Sequence, residues 1–160
     1  MKQLEPYKDL ISQASNKYSI DPKLIGAVIM QESAGQAWSY RYEPNVKYQY
    51  MASSYAKKLG ISFETELNAQ HCSWGLLHLM GFKARELGFD SHLPQLLLPS
   101  VGIDWGVKAL QTFVKRYNTL EDAIAAYNAG SPRKEMGKYV NQKYVDSVKY
   151  YLDEIKKDWV

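Results

Sequence analysis

The sequence has a single cysteine, Cys72, so an internal disulfide is excluded and the fold does not depend on one. No run of apolar residues reaches the roughly 18 that a membrane-spanning helix requires, which argues against stable insertion in a membrane. Repeats, low-complexity tracts and interdomain linkers are also missing. A chain of 160 residues without these features predicts one domain, residues 1–160, long enough to bury a core of its own.

Neither sign of charge dominates the composition. Lysines and arginines number 20 against 17 acidic residues, and the pI of about 8.8 is mildly basic. This balance favours anionic partners such as a bacterial cell wall, a nucleic acid or a membrane surface. The lysines alternate with acids and form no basic stripe, so we expect no nucleic-acid binding. His71, Cys72 and His78 fit no zinc-ligand spacing and lack a fourth ligand, so we expect neither a metal nor another cofactor.

Apolar residues recur with helical spacing along most of the chain, which predicts an all-α, mainly helical fold. Residues 38–51 are crowded with aromatic side chains and interrupted by Pro44, which predicts an irregular loop or short edge strands after the second helix. The predicted helices cover residues 4–18, 22–34, 51–59, a segment from Ser73 to a stop at Gly88, a segment that opens at Ser100, residues 120–129 after the cap Thr119, and 139–155.

The stretch LIGAVIMQESAG, residues 24–35, ends an apolar run with a carboxylate. Asp21 is a good N-cap, so a helix begins here and Gly35 can end it. Partial desolvation and the negative end of the helix dipole both raise the pKa of Glu32, which suits a general acid. The alternative is a glutamate at the rim that turns outward and pairs with a lysine. The helix face that carries Glu32 also carries the aliphatic residues Leu24, Ile25, Val28 and Ile29.

Two further stretches place polar groups at predicted helix ends. In SWGLLHLMG, Ser73 is predicted to cap a helix. Gly75 follows it and would leave the first amides of that helix open to a ligand. In AAYNAG, Tyr127 and Asn128 end a helix of small residues, where a phenol and an amide can reach into a cleft. Taken singly, each stretch is equally compatible with an ordinary helix start or C-cap.

The order of QESAG, RYEP, SWGLLHLMG, AAYNAG and KYVDSV along residues 21–151 resembles the lytic transglycosylase family with the lysozyme-like fold, especially phage-type cell-wall lysis domains. The resemblance implies that Glu32 is the catalytic acid and base. His78 stands where the family usually has glutamine, and it offers a donor and an acceptor with a pH-dependent charge. The substrate-binding residues that the resemblance implies, with Leu77 beside them in the cleft wall, are Ser73, Gly75, Leu76, His78, Tyr127, Asn128 and Tyr144.

The resemblance also implies a reaction on peptidoglycan glycan strands. Glu32 would cleave the β-1,4 bond between N-acetylmuramic acid and N-acetylglucosamine and form a 1,6-anhydro product. Lysozyme-type hydrolysis of the same bond is the closest alternative, and it would need a second carboxylate. Glu43 and Glu66 are both expected to be structural partners, Glu43 for instance of Arg41 or of a loop amide, and Glu43 is the better candidate for the second carboxylate. A weakly active wall-binding module of a virion is the remaining alternative.

The N-terminal residues MKQLEPYKDLI lack the apolar core of a secretory signal. We therefore expect synthesis in the host cytoplasm, unless a signal has been removed, and action in the periplasm or cell wall. Export would then depend on a membrane-permeabilising partner such as a holin, or on the virion itself. The expected protein is a monomeric phage lysis or entry enzyme.

Overall fold

A computed structural model describes residues 1–158 of the chain. Within them lie eight α-helices, five short strands and two 3₁₀ segments (Lys2–Tyr7 and Leu93–Leu97), and the predicted mainly helical fold is confirmed. The helices are α1 (Lys8–Tyr18), α2 (Pro22–Ser33), α3 (Ala52–Leu59), α4 (Phe63–Gln70), α5 (Gly81–Glu86), α6 (Pro99–Arg116), α7 (Leu120–Ala129) and α8 (Gln142–Asp158). The strands are β1 (Tyr40–Tyr42), β2 (Cys72–Trp74), β3 (Leu79–Met80), β4 (Lys134–Glu135) and β5 (Lys138–Tyr139).

Helix α2 is the centre of the fold. It begins as predicted, with Pro22 in the first turn and the Asp21 carboxylate accepting a hydrogen bond from the Lys23 amide at 2.8 Å. Every residue from 24 to 30 is buried, so α2 is enclosed on all sides by α1, α8 and their neighbours, and not along the single stripe expected. The helix ends at Ser33, and the residue that follows it, Ala34, already has a left-handed backbone, one residue before Gly35.

The segment around Ser73 corrects the sequence prediction of a helix. Strand β2 is the middle strand of an antiparallel sheet of order β1-β2-β3, and Ser73 pairs with Arg41 on one side and Met80 on the other. Residues 75–78 form a turn, with left-handed backbone at Gly75 (φ 71°) and His78 (φ 44°), and the helix begins only at Gly81. The Gly75 amide donates to the Ser39 carbonyl at 2.7 Å, so the predicted open helix-start amides are wrong.

Other predicted boundaries are partly right. Helix α3 stops before Gly60, which has φ 67°, and Thr119 caps α7 by accepting a hydrogen bond from the Asp122 amide at 3.1 Å. Helix α4 was not predicted, although Ser62 caps it. The last helix starts at Gln142 and not at residue 139, because β4 and β5 form a hairpin immediately before it.

Two clusters of buried apolar residues form the core. The larger cluster lies around α2 and includes side chains of α1, α6, α7 and α8, and the smaller one lies beside β2 and the second 3₁₀ segment. Tyr127 packs against both. Backbones approach closely beside the second 3₁₀ segment, since a Cβ on either Gly75 or Gly102 would collide with the Leu96 carbonyl oxygen. Glycine is required at both positions by that contact.

A buried ion pair fastens the long segment between β1 and β2. Arg85 and Glu66 are each 1% exposed, and the guanidinium donates two hydrogen bonds to the carboxylate at 2.7 and 2.9 Å. Gln70 donates to the same carboxylate, and Arg85 also donates to the Phe89 carbonyl. The expected structural role of Glu66 is confirmed. In the part of the chain that the structure describes, none of the helices has the length and apolar character needed to cross a bilayer.

Candidate active site

An open groove of about 490 Å³ lies between the three-stranded sheet and the helices α5, α6 and α7. Glu32 reaches it from the C-terminal turn of α2. The groove is lined by Glu32, Arg41, Glu43, Val46, Ser73, His78, Leu79, Met80, Phe82, Lys83, Glu86, Ala109, Phe113, Arg116, Tyr127, Asn128, Ala129 and Gly130.

The Glu32 carboxyl is nearly enclosed, with a side chain that is 12% exposed. The Tyr144 hydroxyl, which comes from α8, donates a hydrogen bond to Glu32 Oε1 at 2.5 Å. Burial raises the pKa of Glu32 to about 7, against the opposing effects of the Tyr144 hydrogen bond and the Arg41 charge, while the Glu43 charge adds to the rise. Near neutral pH the carboxyl therefore exists in both protonation states, and it can act as an acid in one step and as a base in the next.

Strand β1 and the residue after it supply the two charged groups, Arg41 and Glu43, that influence the pKa of this carboxyl. Because side chains alternate along a strand, Ser39, Arg41 and Glu43 point to the groove side while the residues between them point away. Arg41 Nε donates to Glu43 Oε1 at 2.5 Å, so the expected pairing of these two residues is confirmed. The RYEP motif had indicated Glu43 and its pairing with Arg41, but not that Arg41 itself lines the groove, and the alternation of polar residues from 39 to 43 was the signal that could have shown it.

The turn 75–78 is held against the rest of the site by hydrogen bonds to its backbone. The Ser33 hydroxyl donates to the Leu76 carbonyl at 2.8 Å, and the Tyr127 hydroxyl donates to the Leu77 carbonyl at 2.8 Å. Together with the bond from the Gly75 amide to the Ser39 carbonyl, these contacts fix the turn from three directions. The left-handed backbone of His78, which costs about 1–3 kcal/mol for a residue with a side chain, is maintained by them.

His78 stands between Ser39 and Glu32. Its Nε2 lies 2.7 Å from the Ser39 hydroxyl, and its Nδ1 lies 3.7 Å from Glu32 Oε2. Burial and then the Arg41 charge lower the pKa of His78, against a smaller opposing effect of Glu43. The imidazole is therefore neutral near pH 7 and forms no salt bridge with Glu32 there.

The structure brings together most, but not all, of the residues predicted for the site. Ser73, His78, Tyr127 and Asn128 line the groove, and Tyr144 contacts Glu32 directly. Gly75 and Leu76 lie outside the lining, and Leu76 is a core residue with 1% exposure. The Leu77 side chain is likewise fully buried, and this turn contributes to the groove through His78.

Several groove residues were missed by sequence reasoning. Lys83 and Glu86 on α5 form an ion pair at 3.0 Å, and Phe113 and Arg116 on α6 line the groove from the other helix. None belongs to the motifs quoted above, and only the packing of α5 against α6 brings them together. Within residues 1–158 no group of three or more histidine, cysteine, aspartate or glutamate side chains is placed to hold a metal ion.

Comparison with known proteins adds a family assignment to this geometry. The family model described as a transglycosylase SLT domain matches residues 9–149, which is most of the chain. No solved structure gives a significant match.

Proposed function

Because the chain belongs to the transglycosylase SLT domain family, and such a domain has lytic transglycosylase activity on peptidoglycan, we propose that Glu32 is its catalytic acid and base. The observation that carries the proposal is the state of this carboxyl, which opens on the groove, is 12% exposed and has a pKa of about 7. A carboxyl with that pKa is partly protonated at neutral pH, as proton donation to a leaving oxygen requires.

The proposed reaction uses Glu32 twice. Protonated Glu32 gives its proton to the oxygen that joins N-acetylmuramic acid to N-acetylglucosamine, and the bond from this oxygen to muramic C1 breaks with oxocarbenium character at C1. The ionised carboxylate then takes the proton of the muramic C6 hydroxyl as O6 bonds to C1. The products are a 1,6-anhydromuramic end and a free N-acetylglucosamine end, and Glu32 is again protonated. Neither water nor a second carboxylate takes part.

The pairing of the other groove carboxylates supports this route over hydrolysis. Among the lining residues, the acids besides Glu32 are Glu43 and Glu86, and each is bound to a cation, at 2.5 Å to Arg41 and at 3.0 Å to Lys83. A carboxylate committed to an adjacent cation is a weak base for activating water, because the cation stabilises its charged form. Glu43 remains the candidate for a second carboxylate in the hydrolytic alternative.

The test is analysis of the products released from purified sacculi in the presence of a chelator. We expect soluble muropeptides that end in 1,6-anhydro-N-acetylmuramic acid and are lighter by one water than hydrolysis products. Glu32→Gln should release none, while Glu43→Gln, which keeps the same shape and removes the other candidate, should still release anhydro products. Reducing muramic ends as the main product, lost in both variants, would instead establish hydrolysis with Glu43 as partner.

A folded parent protein that releases no soluble product from sacculi would support the wall-binding alternative. The same preparation then distinguishes it, since a binding module should sediment with sacculi whether or not Glu32 is present. Circular dichroism and thermal unfolding of each variant confirm that a lost product reflects lost chemistry and not a lost fold.

We also propose that the protein works as a monomer on glycan strands and has no affinity for nucleic acid. The similarity of RYEP and SWGLLHLMG to phage-type lysis domains supports delivery by a holin-like partner or by a virion. Light scattering tests the monomer. Co-expression with and without a membrane-permeabilising protein in a bacterial host tests the delivery, because lysis should require that partner.

A further inference from the structure

We propose that Ser39 and His78 form a relay that presents an imidazole N–H to Glu32 while Glu32 is ionised. The inference rests on the proposed role of Glu32 and deepens it. The relay is visible as a line of contacts, from the Ser39 hydroxyl to His78 Nε2 at 2.7 Å and from His78 Nδ1 toward Glu32 Oε2 at 3.7 Å. His78 acts through Glu32 in this proposal, and it is a positioning residue.

The two oxygens of the Glu32 carboxyl have different surroundings. Oε1 accepts the Tyr144 hydrogen bond at 2.5 Å, which leaves Oε2 as the oxygen that can carry the transferable proton. After that proton has left, Oε2 bears charge in a site that is only 12% exposed, and a buried charge without a donor is costly. His78 Nδ1 is the ring nitrogen that faces this oxygen.

The Ser39 hydroxyl supports the ring tautomer that has its hydrogen on Nδ1, because it can donate a hydrogen bond to the unprotonated Nε2. A neutral imidazole has one N–H and one acceptor nitrogen, and a hydroxyl can either donate or accept. When the Ser39 hydroxyl donates to Nε2, the hydrogen of the ring is on Nδ1 and points toward Glu32. If the ring hydrogen were instead on Nε2, the lone pair of Nδ1 would face the Glu32 carboxylate. Ionisation of Glu32 therefore selects the Nδ1–H form, and the gap of 3.7 Å must shorten by about 0.7 Å to become a hydrogen bond.

The neutrality of His78 matters for the first half of the reaction. A permanent cation at this position would hold Glu32 ionised and remove its acid form, whereas a neutral donor assists only after the proton has left. The turn 75–78 holds the ring beside Glu32, so only the short approach of Nδ1 to Oε2 has to occur during the reaction. The ionisable groups that face the same groove are Glu32 from α2, Arg41 and Glu43 from β1 and the residue after it, Lys83 and Glu86 from α5, Arg116 from α6, Tyr127 from α7 and, through Glu32, Tyr144 from α8.

The test compares pH profiles of Ser39→Ala, His78→Leu and His78→Gln on soluble, un-crosslinked glycan strands. His78→Leu removes the donor, so we expect kcat to fall about 10- to 100-fold with KM within about threefold of the parent. The fall of activity on the alkaline side should move to higher pH, because the Glu32 carboxylate is less stable. His78→Gln supplies an amide N–H and should keep kcat within about threefold of the parent value.

Ser39→Ala is the decisive variant, because Ser39 acts on Glu32 only through the ring. We expect it to lower kcat about three- to tenfold and to move the alkaline limb in the same direction as His78→Leu, with no further effect when the two changes are combined. Ser53→Ala, at an exposed position of α3, is the matched control and should leave both values unchanged. An unmoved pH profile in Ser39→Ala and His78→Leu, in proteins that fold normally, would overturn the relay.

A spectroscopic measurement tests the relay independently of activity. Nitrogen NMR of the protein labelled at histidine distinguishes a protonated ring nitrogen from an unprotonated one, and His78→Gln identifies the signal among the three histidines. Above pH 7 we expect hydrogen on Nδ1 and none on Nε2, and Ser39→Ala should give a mixture of both forms. Hydrogen on Nε2 in the parent would refute the proposal. Release of anhydro products by Glu32→Gln would instead refute the proposed function, so the two failures are distinguishable.

Discussion

Removal of the Glu32 carboxyl is expected to stabilise the protein above neutral pH while it abolishes activity. Glu32 is charged there in a site with 12% exposure, and burial is the main cause of its raised pKa. Glu32→Gln replaces the carboxylate with a neutral group of nearly the same shape, and the amide oxygen can still accept the Tyr144 hydrogen bond. The substitution therefore removes a desolvated charge without opening a cavity.

The magnitude follows from linkage between protonation and folding. At about 1.4 kcal/mol for each pKa unit, the rise from 4.5 to about 7 corresponds to about 3 kcal/mol of unfolding free energy. The sign is fixed by which state binds the proton more tightly. Here the folded protein does, so the contribution of Glu32 to stability is fully present below pH 4.5 and is lost as the pH rises through 7. Above pH 7, Glu32→Gln therefore retains the unfolding free energy that the parent protein loses.

The assay is urea denaturation of the parent and of Glu32→Gln at pH values from 4 to 8.5. Other titrating groups behave alike in both proteins, so the difference between the two unfolding free energies isolates Glu32. We expect a difference near zero at pH 4 and about 3 kcal/mol in favour of the variant at pH 8.5, or roughly 9 °C in the unfolding temperature. Glu64→Gln, at an exposed position of α4, controls for the loss of one carboxylate.

A difference that stays constant across this pH range would refute the argument. It would mean that the Glu32 carboxyl has the same pKa in the folded and unfolded chain, and the physical basis for its role as a general acid would be lost with it. A variant that is less stable than the parent at pH 8.5 would point the same way, since the charge would then be stabilising.

Three further substitutions test other parts of the structure. Tyr144→Phe should raise the pKa of Glu32 above 7, because the lost hydrogen bond favours the carboxylate, and a titration of kcat/KM against pH should show the alkaline limb moved upward. Arg85→Met should lower the unfolding free energy by about 3–5 kcal/mol, because it leaves the Glu66 charge buried and unpaired, and chemical denaturation at pH 7 measures this. Gly75→Ala should lower the unfolding temperature through both its φ of 71° and its collision with a carbonyl, and an increase on calorimetry would contradict the close approach.

The sequence predicted those features whose causes are local. The start of α2 depends on Asp21 and Pro22 alone, and Thr119 caps its own helix three residues away. The prediction of a helix from Ser73 was wrong, because a polar residue before an apolar run can be either the cap of a helix or part of a buried strand. Pairing with β1, more than thirty residues earlier, decided between them.

In the site too, sequence reasoning found what has a local cause and missed what depends on contacts between distant parts of the chain. Glu32 could be identified from its own helix, but the group that bonds it, Tyr144, is separated from it by 112 residues and was reached only through resemblance to a family. The contact between Ser39 and His78 depends on where a turn meets a strand, and neither residue has a neighbour in sequence that indicates it. Sequence reasoning also had no means to find Arg85 as the partner of Glu66, because buried charges resemble surface charges until the packing is known.

The Leu96 carbonyl, against which Gly75 and Gly102 both lie, has a consequence for how such a groove can diversify. Backbone rests on backbone at this junction, and no side chain stands between that could be exchanged for a larger or smaller one. The position of the turn that carries the imidazole is therefore insensitive to gradual repacking of the surrounding core. Arg116, by contrast, is an exposed residue on the rim. A library selected for altered glycan preference should accept many residues at that rim position and only glycine at the junction.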